Sequence, residues 1–129
     1  MQVATKIQSN ESTHDTFPIL GTDHIEFYVG NAKQAAHFYQ HAFGFEMVAY
    51  KGPETGSKDL CSYVLQQDKI RFVLTSAYKP DHEISKHVQL HGDGVKVLAL
   101  WVDDAFPPFA EHNFIGQLKL KIVQQPFVF

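Results

Sequence analysis

The sequence predicts an α+β fold with the element order β-α-β-β-β, followed by a second helix and a central strand. Three observations predict it. An alternating run breaks at a glycine into a capped amphipathic helix. Two further alternating runs are separated by a tight polar turn. A nearly all-apolar run then follows a second helix-and-glycine signal.

The elements follow in chain order. "TDHIEFYV", Thr22 to Val29, places Ile25, Phe27 and Val29 on one side and His24, Glu26 and Tyr28 on the other, the period-2 pattern of a strand with two chemically different faces. Gly30 breaks the run and Asn31 is a good helix N-cap. Ala32, Ala35, Ala36, Tyr39, Ala42 and Phe43 recur at helical spacing, with alanines small enough to let the helix approach a sheet closely. Gly44 stands where a left-handed residue ends such a helix. Phe45 to Lys51 reads as the second strand, and "GPETGSKD" as a loop. Leu60 to Gln66 and Lys69 to Ala77 read as a hairpin with its turn at Gln67 and Asp68. Pro80 and Asp81 precede a helix marked by Ile84, Val88 and His91, ended by Gly92 and Gly94. "VKVLALWV", Val95 to Val102, is apolar enough to be buried on both faces. A right-handed crossover between the first and second strands makes them parallel. From Asp103 the two adjacent prolines and scattered aromatics of "DDAFPPFAEHNF" predict irregular chain, with one further strand over 117–123.

Composition narrows the function classes. A length of 129 residues suits one domain with its own core. The polar residues 1–16 read as a flexible arm, 17–105 as the folded module and 106–129 as a divergent tail. A formal net charge of −3 gives no broad basic surface, which disfavours nucleic-acid binding. No run approaches the ~20 apolar residues of a membrane helix, and no secretory signal pattern is visible. Cys61 is the single cysteine, so no internal disulfide forms, in keeping with a cytoplasmic protein. Its own reading is a packed small side chain rather than a nucleophile.

Four segments, "FYVGNAKQAAHFY", "GFEMVAYKGPETGSKD", "KIRFVLTSA" and "HGDGVKVLALWVDD", together resemble the amino-terminal half of the 4-hydroxyphenylpyruvate dioxygenase family, within the vicinal oxygen chelate (glyoxalase/bleomycin resistance) superfamily. The resemblance covers roughly residues 17–105. It implies a βαβββ module whose curved mixed sheet forms a cup. It implies the family reaction too: ferrous iron and dioxygen turn 4-hydroxyphenylpyruvate into homogentisate and carbon dioxide in tyrosine catabolism. The family's iron is held in the carboxyl-terminal half by two histidines and a glutamate.

The resemblance places His24 where metal-binding modules of the superfamily carry their first histidine, but puts Val97 at the position of the second. An isopropyl group cannot ligate, and no acidic residue follows Glu111 to supply the carboxylate. The expectation is therefore no metal and no catalytic residue in this chain, with Fe(II) confined to the full-length family. His24, Glu26, Tyr28, Val97 and Trp101 are the candidate cup-lining residues. For His24 a hydrogen bond to a neighbour stands beside a ligand shared with another subunit, and for Glu26 a surface hydrogen bond stands beside an acid–base role. Trp101 reads first as a core residue. His37 and His41, and the looser set His82, His87 and His91, read as helix-face and loop residues. "HGDGVK" reads as a turn rather than a phosphate loop.

The resulting expectation is a scaffold half, inactive alone, that self-associates as a homodimer or higher oligomer. Two alternatives remain: a stand-alone dimeric enzyme of the glyoxalase kind, and a binding module for a small aromatic ligand near Tyr28 and Trp101.

Overall fold

The computed structural model describes residues 19–102, 111–113 and 119–123. The expected arm, residues 1–16, lies outside them, as does most of 106–129. Local chemistry builds the first helix. β1 (Ile19–Tyr28) gives way at Gly30 to α1 (Ala32–Phe43). The Asn31 side-chain oxygen accepts the Gln34 N–H at 3.0 Å, covering one of the helix's orphan donors. Gly44 closes the helix in the left-handed conformation (φ 76°), its N–H reaching the Gln40 carbonyl.

β2 (Glu46–Lys51) leads through a 3-10 turn, Pro53–Thr55, to β3 (Leu60–Gln67) and β4 (Ile70–Ala77). Asp68, at the hairpin tip, has φ 52°. α2 (Glu83–His91) precedes β5 (Gly94–Val102). Its cap is His82, whose Nδ1 accepts the Ile84 N–H at 3.1 Å. β7 (Lys119–Val123) and the short β6 (Glu111–Asn113) complete the described strands; β6 falls in a span expected to be irregular.

The strands form one mixed, unclosed sheet in the order β2-β3-β4-β1-β5-β7-β6. β1 is parallel to β4 and antiparallel to β5, while β5 is parallel to β7. Strand directions are thus related by a two-fold about the β1–β5 seam. β1 and β2 run the same way, as a crossover requires, with β3 and β4 between them.

α1 packs on one face. Val29, Ala32, Ala36, Phe45, Cys61, Leu65 and Leu74 form the buried cluster there, flanked by Phe27, Tyr39 and Phe72. Burying Leu65 and Leu74 is worth about 1.5–3 kcal/mol each. Ala42 and Phe43, assigned to the helix's apolar face from spacing, are exposed instead, in the helix's last turn. β5 sits in mid-sheet but is not buried throughout: Val95 and Trp101 are exposed, whereas Lys96 is buried.

Candidate functional site

The face opposite α1 is set by register. Paired residues in adjacent strands share a face. His24 stands opposite Ala99, and Glu26 opposite Val97 and beside Val73. Tyr28 lies beside Thr75, which in turn contacts Ser62, hydroxyl to hydroxyl, at 2.9 Å. Lys121 stands beside Ala99 from β7. Val64, Val73 and Ala99 are buried, so the centre of this face is packed rather than open.

Three irregularities in the β1–β5 ladder decide which side chains meet. The pairing skips Leu20, Asp23 and Lys96. In a regular strand, neighbours point to opposite faces; a bulge lets two consecutive side chains share one. Asp23 therefore reaches His24, with Oδ2 2.7 Å from Nδ1. The bulge at Lys96 likewise carries its ammonium to 5.9 Å above the Tyr28 ring.

His24 is only 3% exposed. Burial pushes its pKa below the usual histidine value. The Asp23 hydrogen bond and charge pull it back up, while Lys121 and Arg71 push it down again. Burial prevails, so the imidazole is neutral near pH 7, and Nδ1–H donates to Asp23.

The five predicted residues do not form one cluster. His24, Glu26 and Val97 occupy the middle of the face. Tyr28 sits opposite Gly94 and Trp101 opposite Gly21, at the two ends of the β1–β5 pair. At about 3.3 Å per residue that is roughly 20 Å, too far for one small ligand to touch both. Tyr28 meets the edge of His87, ring centroids 5.4 Å apart. Both His87 ring nitrogens are buried with no hydrogen-bond partner among the described residues.

Trp101 lines a cavity of about 590 Å³ with Leu20, Gly21, Gln66, Lys69 and Arg71. Gly21, the residue opposite the indole, puts no side chain into it. Sequence reading missed Asp23, Arg71 and Lys121, the charged neighbours of His24; only the Asp23–His24 adjacency was visible.

A ferrous ion needs two histidines and a carboxylate converging on one point. Here the positions facing His24 and Glu26 are Ala99 and Val97, neither of which ligates, and His24 Nδ1 is engaged with Asp23. No group of three His, Cys, Asp or Glu suited to a metal occurs among the described residues. This donor set does not fit iron. Among the described residues the other histidines give no fuller set. His37 and His41 are exposed on α1 with ring centroids 4.0 Å apart, and His87 stands 4.8 Å from His91. Cys61 is buried with Sγ 3.2 Å from Ser76 Oγ. Asp93, within the glycine turn before β5, accepts the Gly30 N–H at 2.8 Å.

The sequence pattern of the Glyoxalase/Bleomycin resistance protein/Dioxygenase superfamily matches residues 21–111. The chain is 45% identical over 121 residues to 4-hydroxyphenylpyruvate dioxygenase of Danio rerio, and 46% over 110 residues to that of Xenopus tropicalis. These matches cover 81% and 84% of this chain but only 30% and 27% of the relatives' lengths. Among solved structures, a mutant of 4-hydroxymandelate synthase from Streptomyces coelicolor is 28% identical with a TM-score of 0.75, over 87% of this chain and 38% of the other. Methylmalonyl-CoA epimerase from Mycobacterium tuberculosis shares the fold at 16% identity, with a TM-score of 0.64 over 88% and 92% of the two chains.

Proposed function

Because the chain belongs to the Glyoxalase/Bleomycin resistance protein/Dioxygenase superfamily, we propose that it is the amino-terminal, non-metal-binding part of a 4-hydroxyphenylpyruvate dioxygenase-like protein. Its role in this reading is to present a sheet beside an iron-bearing part, not to perform the oxygen chemistry itself. One observation carries the proposal: Val97 and Ala99 face Glu26 and His24, where a catalytic module needs a second ligand. The region of similarity, confined to under a third of each relative's length, accords with it. In this reading the family reaction, 4-hydroxyphenylpyruvate and dioxygen to homogentisate and carbon dioxide, belongs to the iron-bearing part. We further propose self-association and a cytoplasmic setting, the latter in keeping with a single buried, unpaired cysteine.

The test is metal analysis and oxygen uptake on the purified 129-residue chain. Expected are no iron retained through gel filtration and no oxygen consumption with 4-hydroxyphenylpyruvate above a chelator-treated control. One tightly held iron per chain with substrate-dependent oxygen uptake overturns the scaffold reading.

A second reading rests on the Trp101 cavity. Its volume lies within the 300–1,000 Å³ range of small-molecule sites, and an exposed indole beside two cations, Lys69 and Arg71, and two carboxylates, Asp23 and Asp68, suits a small polar aromatic ligand, for which aromatic acids are the first probes. Trp101 is the only tryptophan, so its fluorescence reports occupancy directly. Saturable quenching by aromatic acids supports this reading, and a flat titration removes it.

A further inference from the structure

We propose that the β2 edge of the sheet docks a second copy of this chain, pairing antiparallel to its own counterpart about a two-fold axis between Val48 and Ala49. The inference rests on the self-association proposed above and assigns it a surface.

Among the described residues β2 is the last strand on its side of the sheet, so its outer backbone groups face no further strand. Such an edge templates pairing with another strand unless something blunts it. The β2–β3 ladder is irregular between Met47 and Ala49: Glu46 pairs with Gln66, Met47 with Leu65, Ala49 with Val64, Tyr50 with Tyr63 and Lys51 with Ser62. Without that shift Glu46 and Lys51 would lie on opposite faces, five residues apart. With it, Glu46, Ala49 and Lys51 share one face, while Met47 and Tyr50 share the other.

This arrangement is self-complementary. Antiparallel pairing about the proposed axis sets Glu46 against the partner's Lys51 on one face, twice by symmetry. It sets Met47 against the partner's Tyr50 on the other. Opposite charges directly across a strand pair attract, and a bulge with charges that served only to repel a neighbour would not match them in this way.

The flank supplies apolar area that one strand pair lacks. Met47 lines a groove with Ala36, His37 and Gln40 and so lies on the α1 side. It is 49% exposed, and its neighbour Val48 is 52% exposed. The two-fold brings both copies of Met47 and Val48 together, adding apolar area to the paired edge.

Charge exchange tests the pairing. Both charged residues are exposed, so their replacement leaves the core untouched. Sedimentation of the native chain should show a dimer. Glu46→Lys alone places lysine against lysine, and Lys51→Glu alone places glutamate against glutamate. Each should weaken dimerisation by about tenfold, since two symmetric pairs turn repulsive. An equimolar mixture of the two variants restores both attractive pairs and should recover dimerisation, as should the double exchange in one chain. A native chain that stays monomeric at high micromolar concentration overturns both the self-association and this surface. A dimer indifferent to either reversal, or one that mixing fails to restore, overturns the β2 surface alone. None of these outcomes bears on iron or oxygen uptake.

Discussion

Replacing Ser76 with alanine should loosen the junction between α1 and the sheet. The Ser76 hydroxyl accepts the N–H of Ala32, the first residue of α1, at 3.2 Å. That N–H is one of the donors no helix can satisfy internally. Ala32 and Ser76 are both buried, so water does not replace the lost acceptor. An unsatisfied buried donor costs about 1–3 kcal/mol. The contact with Cys61 Sγ adds little, because a thiol is a weak hydrogen-bonding group. Removing a buried hydroxyl returns part of its desolvation cost, on the order of 1 kcal/mol. The net loss is then about 1 kcal/mol at the middle of that range. Urea unfolding followed by circular dichroism, at protein concentrations that hold the oligomeric state fixed, measures it. With a slope of about 2 kcal/mol/M the midpoint should fall by roughly 0.5 M while the slope stays constant. Asn31→Ala is the companion, because it removes the local cap and should cost about 1 kcal/mol by itself. An unchanged midpoint for Ser76→Ala beside a lowered one for Asn31→Ala refutes the claim that β4 helps hold the helix start.

Other expectations follow from the same geometry. His24 and His87 are both held below the ordinary histidine pKa of 6.5, chiefly by burial. They stay neutral in the folded chain where the unfolded chain takes up protons. Stability is therefore fully present above about pH 6.5 and declines as pH falls below it, until the folded-state imidazoles protonate. His24→Gln should flatten part of that decline in unfolding curves measured between pH 7 and pH 5; an equally steep profile disproves the assignment. A Cβ at Gly52 would strike the Tyr50 ring, which donates its hydroxyl to Glu54 at 2.7 Å. That bond is the largest cause raising the Tyr50 pKa. Gly52→Ala should bring one tyrosine titration, read by ultraviolet absorbance, back towards pH 10, and an unaltered titration contradicts it. Gly44→Ala forces a Cβ into the left-handed region and should cost about 1 kcal/mol by urea unfolding; an unchanged midpoint counts against the cap.

Elements governed by neighbouring residues were legible from the chain alone. Asn31 and Gly44 bracket α1 because capping depends on residues within one turn. The β3–β4 hairpin was legible for a similar reason, since its two runs flank a polar turn. The α2 cap was not legible, because histidine is not among the usual capping residues and only the folded backbone shows the His82 Nδ1 aimed at the Ile84 N–H. The candidate site was less legible. Alternation sorted His24 and Glu26 onto one face, yet the bulges at Asp23 and Lys96 depend on how β1 meets a strand far along the chain. Those bulges bring Asp23 to His24 and Lys96 to Tyr28. The distance between Tyr28 and Trp101 was hidden for the same reason, because it depends on antiparallel register rather than on composition.

β1 is the first described strand in the chain and the middle one among its partners. Ile25 finds Phe72 on one side and Leu98 on the other. During synthesis it must therefore wait, its apolar edge and its Asp23–His24 pair unhoused, until both later strands have left the ribosome. Meandering neighbours β2, β3 and β4 join through short connections and close cheaply, whereas insertion of β1 carries the entropy of two long loops. Slow, late threading of the opening segment is the kinetic cost of placing it at the centre, and a nascent chain halted before Leu98 is the species most exposed to misassembly.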